Sequence, residues 1–122
     1  MNKLSNKEQI IMTLDAGGTN FVFSALKDGE EIVRPMTTSA IPDDSRACLK
    51  LIAAGFTYIK KECPSDPVAI SFAFPGPADY GRGIIGDLPN FPGFRGGVAL
   101  GPYLEYRFRI PVFINNDGNL FA

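Results

Sequence analysis

Three short stretches of the chain carry the residue types that could do chemistry. Asp15 stands before Ala16-Gly17-Gly18-Thr19-Asn20, Gly76 lies between Pro75 and Pro77, and Asp117 is set in Asn115-Asn116-Asp117-Gly118-Asn119. Gly17 and Gly18 can turn backbone amides toward an anion with no Cβ in the way, and Thr19 adds a hydroxyl donor, so this stretch could hold a phosphate. A hairpin turn needing positive φ would use the same residues. Asp15 ends the apolar run Ile10-Ile11-Met12-Thr13-Leu14. A carboxylate buried there is costly unless backbone N–H groups satisfy it or a cation does, and Mg²⁺ carried in by a nucleotide would serve. Asp117 is flanked by Asn116 and Asn119, whose amides can orient a hydroxyl-bearing ligand, although the five residues also read as a plain turn. One acid beside metal and phosphates, with a second free to take a proton, is the division of labour that phosphoryl transfer to an alcohol requires.

Composition narrows the remaining classes. The chain has 122 residues, 12 Lys+Arg against 13 Asp+Glu, no His and no Trp. Without an imidazole, this segment cannot run Ser-His-Asp or Cys-His nucleophilic catalysis, so acid–base work falls to carboxylates. A net charge of −1 with no Lys/Arg block lacks the electrostatic footprint of a nucleic-acid binder or a polybasic membrane anchor. Apolar runs of a few residues fall far short of the ~20 needed to span a bilayer, and Met1-Asn2-Lys3-Leu4 leads into no signal-peptide core, which reads as cytoplasmic. Cys48 and Cys63 on one helix would stand roughly 22 Å apart, beyond disulfide reach, and are read as reduced packing residues. Two thiols and no His make a local zinc site improbable.

These candidates need elements to position them. Residues 10–14 and 21–26 read as strands joined by a short link, and Asp28-Gly29 turns the chain into a third strand, Glu31-Ile32-Val33-Arg34. Pro42, Asp43 and Asp44 suit a helix start, Cys48, Ile52, Phe56 and Ile59 repeat at helical spacing, and Lys60-Lys61 before Pro64 suits its end, giving a helix over roughly 43–62. Val68-Ala69-Ile70-Ser71-Phe72-Ala73-Phe74 is a strand with a large and a small face, and the small face is expected to receive a helix. Of the 23 glycines and prolines, 13 fall between Pro75 and Pro102 and mark a loop-rich middle. Leu100, Leu104 and Phe108 predict a second helix, and Pro111-Val112-Phe113-Ile114 a last strand. The order implies an α/β domain: a five-stranded mixed sheet, three strands antiparallel and then two parallel through right-handed crossovers, flanked by helices. All three candidate stretches then follow parallel strands at their carboxyl ends, where ligands of open α/β sheets collect. Gly81-Arg82-Gly83-Ile84-Ile85-Gly86 matches a dinucleotide-binding glycine pattern, but Asp87-Leu88-Pro89 follows it instead of a helix, and no P-loop occurs.

Taken together, the motifs resemble the ROK (repressor, open reading frame, kinase) family of the actin-like ATPase (ribonuclease H-like) superfamily. Leu14-Asp15-Ala16-Gly17-Gly18-Thr19-Asn20 resembles the family's first phosphate motif, and Phe74-Pro75-Gly76-Pro77-Ala78-Asp79 its Pro-Gly sugar loop. Asn90-Phe91-Pro92-Gly93-Phe94 is similar to its Asn-Leu-x-Gly-Trp segment, with Phe94 where Trp is usual. Phe113-Ile114-Asn115-Asn116-Asp117-Gly118-Asn119 resembles the segment bearing its catalytic base. Four such motifs in order and spacing are far more specific than any one.

The resemblance implies an ATP- and Mg²⁺-dependent sugar kinase acting on a hexose or N-acyl hexosamine. Asp117 would be the base; Asn90, Asn116 and the Gly76 backbone would hold sugar hydroxyls. Asp15, Gly17, Gly18 and Thr19 would face Mg·ATP, with Asp15 beside the metal. It further implies two lobes closing over the sugar, residues 1–122 being the N-terminal one. The C-terminal lobe, with the adenine pocket, further sugar-binding Glu and His, and the Cys-rich zinc motif of many members, is expected beyond Ala122. A segment alone would then carry half a site and little or no activity. Family members are commonly dimers, and some are sugar-sensing transcriptional repressors with an added helix-turn-helix. The few residues before the first strand are too short for such a domain, which with Asp117 favours the kinase.

Overall fold

The structure is a computed structural model, and it describes residues 9–16, 19–40, 44–74, 78–79, 81–86 and 97–115. Strand β1 (Ile10–Ala16) pairs antiparallel with β2 (Asn20–Lys27), Leu14 opposite Phe23 and Ala16 opposite Phe21. Two short strands, β3 (Glu30–Glu31) and β4 (Met36–Ser39), then pair with opposite ends of β2. Helix α1 (Ser45–Glu62) leads to β5 (Ala69–Ala73), which lies parallel to β1. A small hairpin, β6 (Ala78–Asp79) and β7 (Ile84–Ile85), precedes helix α2 (Leu100–Phe108) and strand β8 (Val112–Asn115), parallel to β5. The main sheet therefore runs β3-β2-β1-β5-β8, with β4 also on β2. The mixed α/β fold with β1, β5 and β8 parallel is the one expected from the sequence, with six strands in the sheet rather than five.

The extra strand comes from a break in the expected third one. From Leu26↔Glu31, a continuous ladder would put Arg34 opposite Phe23, yet Met36 stands there. Ile32 still donates to the Ala25 carbonyl at 3.0 Å. Pairing then stops near Pro35, which has no N–H to give, and resumes two residues out of step.

Helix α1 begins later than expected. Asp44 is its N-cap, with extended backbone (φ −137°), and its Oδ1 accepts from the Ala47 amide at 3.1 Å. The role is capping one of the unsatisfied first-turn amides rather than sitting within the turn. Pro42 and Asp43 lie outside the described residues. The spacing of Cys48, Ile52, Phe56 and Ile59 is borne out, since all four are fully buried. Neither Cys48 nor Cys63 is in a disulfide, and burial, then the neighbouring Glu62 charge, pushes the Cys63 thiol pKa up.

The phenylalanines show which face α1 covers. Phe56 packs edge-on against Phe23 at 5.2 Å between ring centroids, and also meets Phe72 of β5 (5.9 Å) and Phe108 of α2 (6.2 Å). By register, Phe21, Phe23, Leu14, Met12, Ile70, Phe72 and Ile114 share that face. This corrects the expectation for β5: both helices lie over the large residues, and small Ala69, Ser71 and Ala73 face the other way. The close approach is supplied by the helix instead. A Cβ at Gly55 would overlap the Phe23 ring, which is itself fully buried.

Gly55→Ala should therefore destabilise the whole protein by about 1–3 kcal/mol in urea titration, even though alanine is the better helix former by about 1 kcal/mol. Ala54→Gly, on the exposed side of the same helix, should cost only that ~1 kcal/mol of propensity. Asp44→Ala should lower stability by about 1 kcal/mol through the lost cap.

Candidate active site

The parallel strands align their carboxyl ends in one row. Asp15 of β1 is the register partner of Ala73 of β5, and Ala73 is the partner of Asn115 of β8. At ordinary strand spacing this sets the Asp15 and Asn115 backbones about 10 Å apart, with Ala73 between them. All three lie on the sheet face turned away from α1 and α2, because Leu14, Phe72 and Ile114, each one residue earlier, lie on the helix side. Beyond the row, the Phe74 amide donates to the Asn115 carbonyl at 3.0 Å, so β5 and β8 stay zipped up to the point where the chain runs on to Gly76 and to Asn116 and Asp117.

On the other side of Asp15, β1 and β2 close on Ala16↔Phe21. The Thr19 carbonyl accepts from the Ala40 amide at 2.8 Å, which ties the glycine-bearing link to the end of β4. Thr19 and Asp15 are both exposed. Here the structure overturns the premise that Asp15 is buried. Its side chain alternates away from the core, and its neighbour on β5 is only an alanine, so the carboxylate carries no desolvation penalty needing a cation. Its place at the strand ends, not burial, makes it a candidate. Gly17, Gly18, Gly76, Asn90, Asn116 and Asp117 lie outside the described residues.

An exposed carboxylate is a suitable hard oxygen donor for Mg²⁺, which commonly takes one or two carboxylates and fills its shell with water and phosphate oxygens. Among the described residues no group of three or more His, Cys, Asp or Glu could hold a metal by itself.

Three features are not legible as sites in the sequence: the Ser71 hydroxyl, the Gly83–Gly101 contact and one cavity. Ser71, two residues before Ala73 on the same face, has a buried hydroxyl with no hydrogen-bond partner among the described residues. Its signal was present in the small alternate residues of β5, which were read as a helix seat. The glycine-pattern stretch 81–86 forms a turn and β7, not the strand-to-helix turn that grips a dinucleotide; its third residue, Gly83, meets Gly101 at the start of α2. A cavity of about 130 Å³ lined by Lys60, Asp66, Pro67, Phe108 and Ile110 lies by the amino ends of β5 and β8, at the opposite end of the sheet from Asp15.

No protein-family model and no curated protein matches the sequence. Solved structures do. A glucokinase from Parabacteroides distasonis is 65% identical over 90% of this chain, with a TM-score of 0.88. A ROK hexokinase from Thermus thermophilus is 25% identical over 91% of the chain, TM-score 0.79. A ROK family glucokinase from Streptomyces griseus, solved with glucose and AMPPNP, shares the fold at 20% identity over 90% of the chain, TM-score 0.75. The chain spans 31%, 36% and 34% of those three chains, about a third of each. With this sheet, this strand order and an identity of 65% to a glucokinase, the chain belongs to the ROK family, within the actin-like ATPase superfamily.

Proposed function

We propose that the whole protein is an ATP-dependent sugar kinase, transferring the γ-phosphoryl group to a hydroxyl of a hexose or N-acyl hexosamine, and that this chain is the N-terminal of two lobes. The observation that carries the reading is the 65% identity to a glucokinase across 90% of the chain. The convergence of the strand ends that lead into the candidate residues supports it.

In this reading Asp117 accepts the proton of the attacking hydroxyl, a contribution of about 10²- to 10⁴-fold in rate. Asn90, Asn116 and the Gly76 backbone hold the other hydroxyls and so fix the attacking oxygen. Gly17, Gly18 and Thr19 offer donors to the phosphates, and Asp15 approaches them from the end of β1 as a ligand to Mg²⁺. That ion, when bound, neutralises charge on the phosphate oxygens. Positioning and charge neutralisation supply most of the remaining acceleration. No described helix is long and apolar enough to cross a membrane, and a kinase drawing on ATP belongs in the cytoplasm. The runner-up reading, a sugar-sensing transcriptional repressor, needs a DNA-binding domain and has no use for a base at residue 117.

A coupled assay of the full-length protein over a sugar panel tests the proposal, and glucose turnover with ATP is the expected result. Asp117→Asn should reduce kcat by at least 10²-fold while leaving sugar affinity within a few-fold. Undiminished turnover would remove Asp117 from its role. Asp15→Ala should weaken Mg·ATP binding more than sugar binding while shifting stability by less than about 0.5 kcal/mol, because the residue is exposed. Equal weakening of both ligands would assign Asp15 a structural part.

A further inference from the structure

The structure assigns Gly83 and Gly101 as positioning residues for the sugar half of the site, acting through a backbone contact that admits no side chain. The inference rests on the kinase reading. Gly83 ends the turn before β7 with φ +72°, and Gly101 lies in the first turn of α2; both are buried. The Gly101 amide donates to the Gly83 carbonyl at 2.9 Å. A Cβ on Gly83 would lie 2.9 Å from the Gly101 Cα, 3.2 Å from its nitrogen and 3.2 Å from Pro102 Cδ. A Cβ on Gly101 would lie 3.0 Å from the Gly83 Cα and 3.4 Å from its carbonyl oxygen, with Ile114 Cδ1 at 3.6 Å. The nearest neighbours on both sides are backbone atoms, so no flexible side chain can swing aside; β7 and α2 would have to part.

What they hold in register bears on the chemistry. Past Gly83, Ile85 and Val98 exchange two hydrogen bonds, of 2.8 and 2.7 Å, and the chain between them contains Asn90. On the other side Gly101 sits against Ile114, buried in β8, from which the chain continues through Asn115 and Asn116 to Asp117. One contact therefore links the stretch leading to a proposed sugar-hydroxyl ligand with the strand leading to the proposed base. Reacting groups need to be held within about 0.5 Å, and a misplacement of ~1 Å can cost 10²-fold in rate. Opening the 2.9–3.0 Å contacts to ordinary van der Waals distance takes a few tenths of an ångström, the scale of that ~0.5 Å tolerance. The phosphate half, reached through β1 and β2, has no part in the contact. This accounts for glycine at position 83 of the 81–86 stretch without any dinucleotide.

The experiment uses the full-length protein with Gly101→Ala and Gly83→Ala, and Gly29→Ala as control. Gly29 also has positive φ (+80°), but an added Cβ there meets nothing within 4 Å, so it isolates backbone strain from the contact. Steady-state kinetics are read beside calorimetric binding of glucose and of an ATP analogue, with hydrogen exchange at the Ile85, Val98 and Gly101 amides. The expected result is a tenfold or greater fall in kcat/KM for the sugar, weaker glucose binding and faster exchange at those amides in both contact variants. Nucleotide affinity should stay within twofold, and Gly29→Ala should match the wild type in all ligand measurements. Unchanged kcat/KM, equal losses on sugar and nucleotide, or the same loss in Gly29→Ala would overturn the inference. If Gly83→Ala fails to fold, Gly101→Ala, on ordinary helical backbone, decides; failure of both would show that the contact holds the lobe, not the site, and would also overturn it. A wild-type protein that neither binds nor phosphorylates any sugar refutes the kinase reading itself, and the inference falls with it.

Discussion

The seating of α1 on the sheet, through Gly55 and Phe56 against Phe23, is the contact on which the rest of this fold depends. Gly55 lets the helix backbone come down onto the Phe23 ring, and Phe56 beside it reaches Phe72 and Phe108. One side chain thus joins β2, β5 and α2, which are distant in sequence. Fully burying a phenylalanine contributes roughly 1.5–3 kcal/mol, and edge-to-face ring pairs about 0.5–1.5 kcal/mol more, a large share of the stability of any ordinary domain. Once α1 is held there, the chain returns as β5 beside β1, and α2 over the same face then sets β8 beside β5.

Putting both helices on one face has a chemical consequence. The bulky residues of β1, β5 and β8 are drawn to the helix side, so the period-2 alternation turns Asp15, Ala73 and Asn115 to the other side at the strand ends. Ala73 in the middle of that row leaves Asp15 open. A solvated carboxylate at the strand ends is accessible to a ligand without first leaving a buried environment. The Gly83–Gly101 contact performs a comparable service at the far side of β8, where absence of side chains brings two backbones into hydrogen-bond range.

Much of this was legible in the sequence. The helical repeat of Cys48, Ile52, Phe56 and Ile59, the Leu100-Leu104-Phe108 repeat and the strands around Leu14, Phe72 and Ile114 are local patterns, and each stands as expected. The family, too, could be read from residue order, because its motifs are patterns of neighbouring residues. Three readings failed, and each depended on something non-local. Asp15 follows an apolar run that suggests burial, but exposure of a strand's last residues is decided by what packs beside them. The small face of β5 suggests a seat for a helix, whereas the small residue permitting close approach lies on the helix as Gly55. Glu31-Ile32-Val33-Arg34 suggests one continuous third strand, although its pairing depends on how Pro35 interrupts the edge of β2.

By itself, then, the sequence determined the kinds of element, their order and the chemistry available: carboxylates, amides and glycines without imidazole. These follow from periodicity, turn propensity and side-chain inventory, which are properties of neighbours along the chain. Tertiary structure alone decided which face of the sheet is covered, that Asp15 is solvated, and that Gly83 touches Gly101. Those are matters of which distant surfaces exclude one another's volume, and the densely packed core around Phe56 admits one arrangement of them.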